Sequence, residues 1–143
     1  MKIIGLEKIN RKIIKNKKDN LIKYLSTKDK FFSKFGEIYF SEIKKDQVKG
    51  WKLHQKYRCH LSVLCGSVTF YFVDYRRTSK TYLKKDKITL NKKNHGILLV
   101  PPRIWFSFTT KEKISLVVNT LNQPHSDTEI KNRLISTPFK NII

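Results

Sequence analysis

In the stretch Val48-Lys49-Gly50-Trp51-Lys52-Leu53-His54, two side chains that handle charge and protons stand two positions apart. Residues i and i+2 of an extended strand share a face, so the Lys52 ammonium and the His54 imidazole are expected to look into the same space. An imidazole, whose ordinary pKa is about 6.5, can take a proton from a carbon beside a carbonyl. A neighbouring ammonium would stabilise the resulting enolate, attract anionic groups and keep the imidazole neutral, as a base must be. Tyr39, within Gly36-Glu37-Ile38-Tyr39-Phe40-Ser41-Glu42, adds a phenol able to donate to a ligand oxygen; the plainer use of such an aromatic is core. Arg58 and Arg103 are two of six arginines beside 25 lysines, and a guanidinium fork holds a diphosphate through paired bonds. Trp105 offers a stacking ring or a buried strand residue. His60 opens an apolar strand, and its facing stays open. His125, after Pro124, reads as a loop-closing hydrogen bond, and Asp74-Tyr75-Arg76-Arg77 as a hairpin end with a solvated charge pair.

No Ser-His-Asp set, glycine-rich phosphate loop or pair of catalytic carboxylates stands out. Cys59 and Cys65 lie six apart without a second pair, too few for a disulfide scaffold or a zinc site, so both are expected as reduced, buried thiols. No catalytic metal and no cofactor are expected, although a thiolate and two imidazoles would bind a soft ion if Cys59, His54 and His60 converged.

At about 100–200 residues per domain, the 143 residues make a single domain, and 39% apolar residues are enough for a core. No apolar run approaches the roughly 20 residues of a membrane span, and the N-terminal residues do not resemble a secretory signal, so a cytoplasmic protein without a membrane partner is expected. The net charge of +20 points to an anionic partner. The excess is lysine, the pattern of codons drifting toward A and T, whereas readers of phosphates and bases favour arginine. Solvated lysine is therefore the expected reading ahead of a dedicated polyanion surface, and an anionic small molecule fits either case.

The elements that must position these side chains are strands. Runs of Val, Ile, Phe, Tyr and Thr predict strands near 37–43, 48–54, 59–65, 67–75, 87–90, 97–100, 104–109 and 114–120, with Gly66 at a tight hairpin. Near-regular spacing and almost no helix imply an antiparallel sandwich or barrel. Upstream, residues 1–35 form a basic segment expected to pack on the barrel, 36–135 the barrel itself and 136–143 a tail. In the basic segment Ile13-Ile14 suggests a short strand, Asp19-Asn20 a turn, and Leu21, Ile22 and Leu25 a short helix capped by Asp19.

Three stretches carry a resemblance. Gly36–Ile43 leads into Val48–His54 and the turn at Gly66, followed by Gly96-Ile97-Leu98-Leu99-Val100-Pro101-Pro102-Arg103-Ile104-Trp105-Phe106, and then by Ser115-Leu116-Val117-Val118-Asn119 with Pro124-His125-Ser126-Asp127-Thr128-Glu129. Their order resembles the cupins among thymidine-diphosphate-sugar (dTDP-sugar) epimerases and isomerases, over roughly residues 30–135. The resemblance implies an all-β cupin, a double-stranded β-helix or jelly-roll barrel, acting on a dTDP-4-keto-6-deoxyhexose in surface-polysaccharide synthesis, with Lys52 and His54 at the barrel mouth. It also implies a homodimer closed through an edge strand.

Carried residue by residue, the resemblance places the family's histidine base on Lys52 and its aspartate partner at or near Asn122, so neither half of that dyad is kept. In metal-binding cupins the last histidine falls at Phe106. The paired His-x-His of the related ketoisomerases maps onto Lys52 and His54, one of which survives. The expectation is therefore a cofactor-independent epimerase or ketoisomerase with His54, Lys52 and Tyr39 catalytic and Arg58, His60, Arg103, Trp105 and Asn122 binding substrate. The alternative is a non-catalytic sugar-nucleotide-binding cupin, and behind it a basic nucleic-acid-binding barrel.

Overall fold

The computed structural model describes residues 1–133; the expected tail at 136–143 lies outside the described residues. Twelve strands run in chain order: β1 (Glu7–Asn10), β2 (Ile13–Lys15), β3 (Asn20–Ile22), β4 (Glu37–Lys44), β5 (Val48–His54), β6 (Cys59–Cys65), β7 (Val68–Asp74), β8 (Lys85–Leu90), β9 (Gly96–Val100), β10 (Ile104–Thr110), β11 (Ile114–Leu121) and β12 (Ile130–Asn132). All pairings are antiparallel. They build two five-stranded sheets, β1-β9-β6-β11-β4 and β12-β5-β10-β7-β8, and a separate β2–β3 pair. This is the jelly-roll cupin, and it is all-β. Among the described residues no helix is long and apolar enough to cross a membrane.

The strands form where period-two alternation and β-branched or aromatic residues coincide. Phe70 and Phe72 on β7, Phe106 and Phe108 on β10, Leu61 and Val63 on β6, and Val117 and Leu121 on β11 turn toward each other between the sheets and are almost wholly buried. The opposite face of β5, β7 and β10 carries a second cluster of Trp51, Leu53, Val73 and Trp105. Sequestering large side chains of this kind stabilises by about 1.5–3 kcal/mol each before entropy is counted.

Four local expectations are corrected. Gly66 does not close a hairpin: β6 pairs with β9 and β11, while β7 pairs with β8 and β10, so the turn carries the chain from one sheet to the other. Glycine is required there, because φ is +82° and an added Cβ would lie 2.1 Å from Ser115 Oγ. The short helix after Asp19 is absent. Asn16 N–H donates to Asp19 O at 2.9 Å and Ile14 pairs with Leu21, giving a hairpin. Five or so helical residues gain too few hydrogen bonds to offset nucleation.

Asp74, read as solvated, is fully buried. Its carboxylate accepts hydrogen bonds from Arg76 Nε and Nη2, Ser79 Oγ and Thr81 Oγ1 at 2.6–2.8 Å. These bonds hold its pKa well below the usual carboxylate range against the desolvation that opposes them. Cys65 is exposed, whereas Cys59 is buried as expected. In the N-terminal segment β1 hydrogen-bonds to β9, and Ile3 and Leu6 enter the core.

Candidate active site at the barrel mouth

A cavity of about 500 Å³ opens between the sheets and is lined by Tyr39, Lys52, His54, Phe106, Asn119 and His125, among others. β5 supplies Lys52 and His54 from one face, as alternation requires, while Trp51 and Leu53 point to the other. The approach of β5 to β10 is close at Gly50, where φ is +112° and a Cβ would meet Phe106 O at 2.7 Å. A register shift between Phe106 and Ser107 accompanies it.

His54 is 5% exposed and lies between two aromatic rings, Phe106 with centroids 6.3 Å apart and Tyr57 at 6.4 Å. Its Nδ1 is buried and makes no hydrogen bond among the described residues. Burial lowers its pKa to about 4, with Lys52 and His125 pushing the same way and the nearby Glu129 carboxylate opposing. The imidazole is therefore neutral at pH 7. Glu129, itself buried, accepts the backbone N–H groups of Lys56 and Tyr57 at 2.6 Å each and so fixes the segment after β5. Lys52 is exposed at the cavity edge.

On the facing wall Tyr39 pairs in register with Asn119 across β4 and β11. Burial and then its hydrogen bond to the Glu37 carboxylate push the phenol up to about 12, so it keeps its proton. Glu37 Oε2 also accepts the His125 N–H at 2.6 Å. The His125 ring stands edge-on to Tyr39 and places Nε2 2.9 Å from Asp127 Oδ1. Asn119 and His125 were missed as cavity residues, and Glu37 as the carboxylate that holds Tyr39 and His125. His125-Ser126-Asp127 carried a legible His-x-Asp spacing, whereas Asn119 became visible only once its strand register was known.

The cavity brings together the three residues expected to be catalytic, Tyr39, Lys52 and His54, and none of the five expected to bind substrate. His60 stands on the opposite face of β6 from Leu61. There its ring lies tilted against that of Phe31, with centroids 5.7 Å apart, and Thr120 O lies 3.1 Å from its Nδ1. Arg58 is exposed, with its N–H donating to Asn122 Oδ1 at 3.1 Å, and neither residue lines the cavity. Trp105 is buried on the outer face of β10, and it lines with Arg103 a second cavity across the sheet. Alternation explains each case, since these side chains point out of their strands or sit beyond their ends. Among the described residues no three His, Cys, Asp or Glu side chains cluster as a metal site.

Comparison with known proteins places the fold and the family. A dTDP sugar isomerase from Desulfovibrio desulfuricans has 28% identity and a TM-score of 0.93, over 96% of this chain and 89% of that one. A 3,5-epimerase from Legionella pneumophila, solved with dTDP-4-keto-L-rhamnose, shares the fold at 19% identity and a TM-score of 0.87, over 96% and 77% of the two chains. A dTDP-4-dehydrorhamnose 3,5-epimerase from Bacillus anthracis does so at 16% and 0.85, over 95% and 85%. No curated protein matches the sequence. Residues 16–136 match the dTDP-4-dehydrorhamnose 3,5-epimerase family, and the chain belongs to it.

Proposed function

We propose that the chain moves a proton at the carbon beside the ketone of a dTDP-4-keto-6-deoxyhexose, without a metal, on the way to a deoxysugar for surface polysaccharide. The observation that carries this reading is the neutral, buried His54, whose Nδ1 has no hydrogen-bond partner among the described residues, set beside the Lys52 ammonium in a cavity walled by the protonated Tyr39.

The chemistry follows from the charges. His54 takes the proton from C3, and the C–H electron pair moves onto the ketone oxygen as an enolate. Burial and Lys52 by themselves disfavour an imidazolium. The enolate supplies the opposite charge, and Lys52 stabilises that oxygen more strongly as its charge grows toward the transition state. Reprotonation of carbon by Tyr39 from the facing wall inverts the centre; the imidazolium then gives its proton to water at the mouth and the phenolate takes one back from water, which restores both groups.

Family membership and the open mouth support an anionic dTDP-sugar as ligand. The protein is proposed to act in the cytoplasm as a homodimer without a nucleic-acid partner. Support for the dimer comes from β4, an outer strand of its sheet whose Ile38 and Phe40 are 40% and 59% exposed. Light scattering should give twice the chain mass, and Phe40→Glu should give a monomer.

A second reading, a non-catalytic binder, is favoured by one observation: among the described residues no carboxylate hydrogen-bonds His54, because Glu129 Oε1 is engaged by two amides. The two separate by exchange of solvent deuterium into the sugar. The enzyme reading expects label at C3 more than at C5, abolished in His54→Ala while dTDP binding persists. Clear binding with no exchange on any ketosugar leaves the binder.

A further inference from the structure

The geometry points to a second anion site, on the outer face of the β12-β5-β10-β7-β8 sheet, that takes a diphosphate or longer polyphosphate. A cavity of about 620 Å³ lies there, separated from the barrel mouth by the strands β5 and β10 themselves. Four of the chain's six arginines line it, Arg76, Arg77, Arg103 and Arg133, together with Lys131. In a chain with 25 lysines, this is where arginine has been concentrated.

The charges in this cavity are poorly balanced. Asp74 neutralises Arg76 at 2.7 Å. Arg133 lies over the Trp105 ring at 4.9 Å and the Tyr75 ring at 5.3 Å, which caps the aromatic floor and makes the site a reader of charge. Among the described residues Arg77, Arg103 and Lys131 have no ion pair and no carboxylate lines the cavity. Gathering like charges in a concavity costs energy unless a counter-ion enters, and it focuses the field on one.

Arg103 is held there by its backbone. Its φ is +64°, a left-handed conformation that a non-glycine residue adopts only at a cost. Its N–H donates to His54 O at 2.7 Å, and its carbonyl accepts from Tyr75 N–H at 3.1 Å. Both backbone bonds fix the turn that presents the guanidinium. Planar forks from several directions suit the tetrahedral oxygens of linked phosphoryl groups better than a single carboxylate.

The probe is sodium pyrophosphate, read by intrinsic fluorescence. Both tryptophans of the chain, Trp51 and Trp105, belong to the cluster beneath this face, so the signal reports on it. Pyrophosphate is expected to shift the emission saturably. Arg77→Ala combined with Arg103→Gly, the glycine suiting the positive φ, should weaken the apparent affinity about tenfold or more. Lys52→Ala, at the other cavity, should leave the shift unchanged. If the double variant fails to fold, Lys131→Glu at an exposed position should give the same direction. No shift at about 10 mM, a shift reproduced by sodium chloride at equal ionic strength, or a shift of equal affinity in the folded variants would overturn the inference.

Discussion

The imidazole of His54 lies almost parallel to the ring of Phe106, with an interplanar angle of 9° and centroids 6.3 Å apart. Phe106, the position to which the resemblance assigns the last histidine of metal-binding cupins, packs an apolar ring against the buried imidazole. Titration followed by proton NMR should put the His54 pKa near 4. Phe106→Leu, which opens room for water, should raise it toward the ordinary value. Lys52→Ala should raise it too, but less, since burial is the larger cause. A His54 titrating near 6.5 in the folded wild-type protein would contradict this account.

The same shift makes the fold acid-sensitive. The folded-state pKa of His54 is depressed below its unfolded value, so the unfolded chain binds the extra proton first. Stability is full above about pH 6.5 and is lost as the pH falls toward 4, by about 3 kcal/mol for His54. His60, also depressed by burial, adds in the same direction. Urea melts at pH 7.5 and pH 4.5 should differ accordingly, and His54→Gln should narrow the difference.

Much of this arrangement was legible because alternation is a strict rule. The eight strands from 37 to 120 could be placed within one or two residues, and the shared facing of Lys52 and His54 followed from their spacing alone. Sheet membership was not legible. Gly66 looks like a hairpin because two apolar runs flank one glycine, and only the non-local pairing of β6 with β9 and β11 shows that the chain changes sheets there. Short strands such as β1 and β12 carry too little pattern to be seen before their partners exist. The expected binding residues lie outside the barrel-mouth cavity for a related reason. Arg103 and Trp105 share a turn with the mouth in sequence, yet β10 is buried on both faces, so apolar pattern could not tell which face each side chain takes.

Asp74 tests how much one buried charge holds. Its carboxylate organises the turn from Arg76 to Thr81, and Arg76 Nη2 reaches on to Ile4 O at 2.7 Å. Asp74→Ala would leave the Arg76 guanidinium and two hydroxyls without their acceptor. A loss of about 3–5 kcal/mol is expected, seen as a lower melting temperature. The double variant Asp74→Ala with Arg76→Met should recover part of it, because the uncompensated charge is then gone. A single-variant loss below about 1 kcal/mol would show that the cluster is incidental.

Tyr39 separates removal of the proton from its return. Its phenol is hydrogen-bonded to Glu37, keeps its proton to about pH 12, and stands on the β4 wall with Asn119 as its cross-strand neighbour, facing the β5 strand that carries His54. If His54 removes the proton and Tyr39 delivers one to the other face, Tyr39→Phe should still exchange C3 hydrogen with solvent while forming inverted product about 10²–10⁴-fold more slowly. Substrate affinity should change little, since Phe keeps the ring. Glu37→Gln should leave product formation in place and lower the pKa of the phenol toward 10, because the carboxylate is one cause of its elevation. Deuterium incorporation measured by mass spectrometry, set against product measured by NMR, reads both steps in one reaction. If Tyr39→Phe lowers exchange and inversion by the same factor, the phenol acts before the enolate forms, and its place is beside the ketone oxygen.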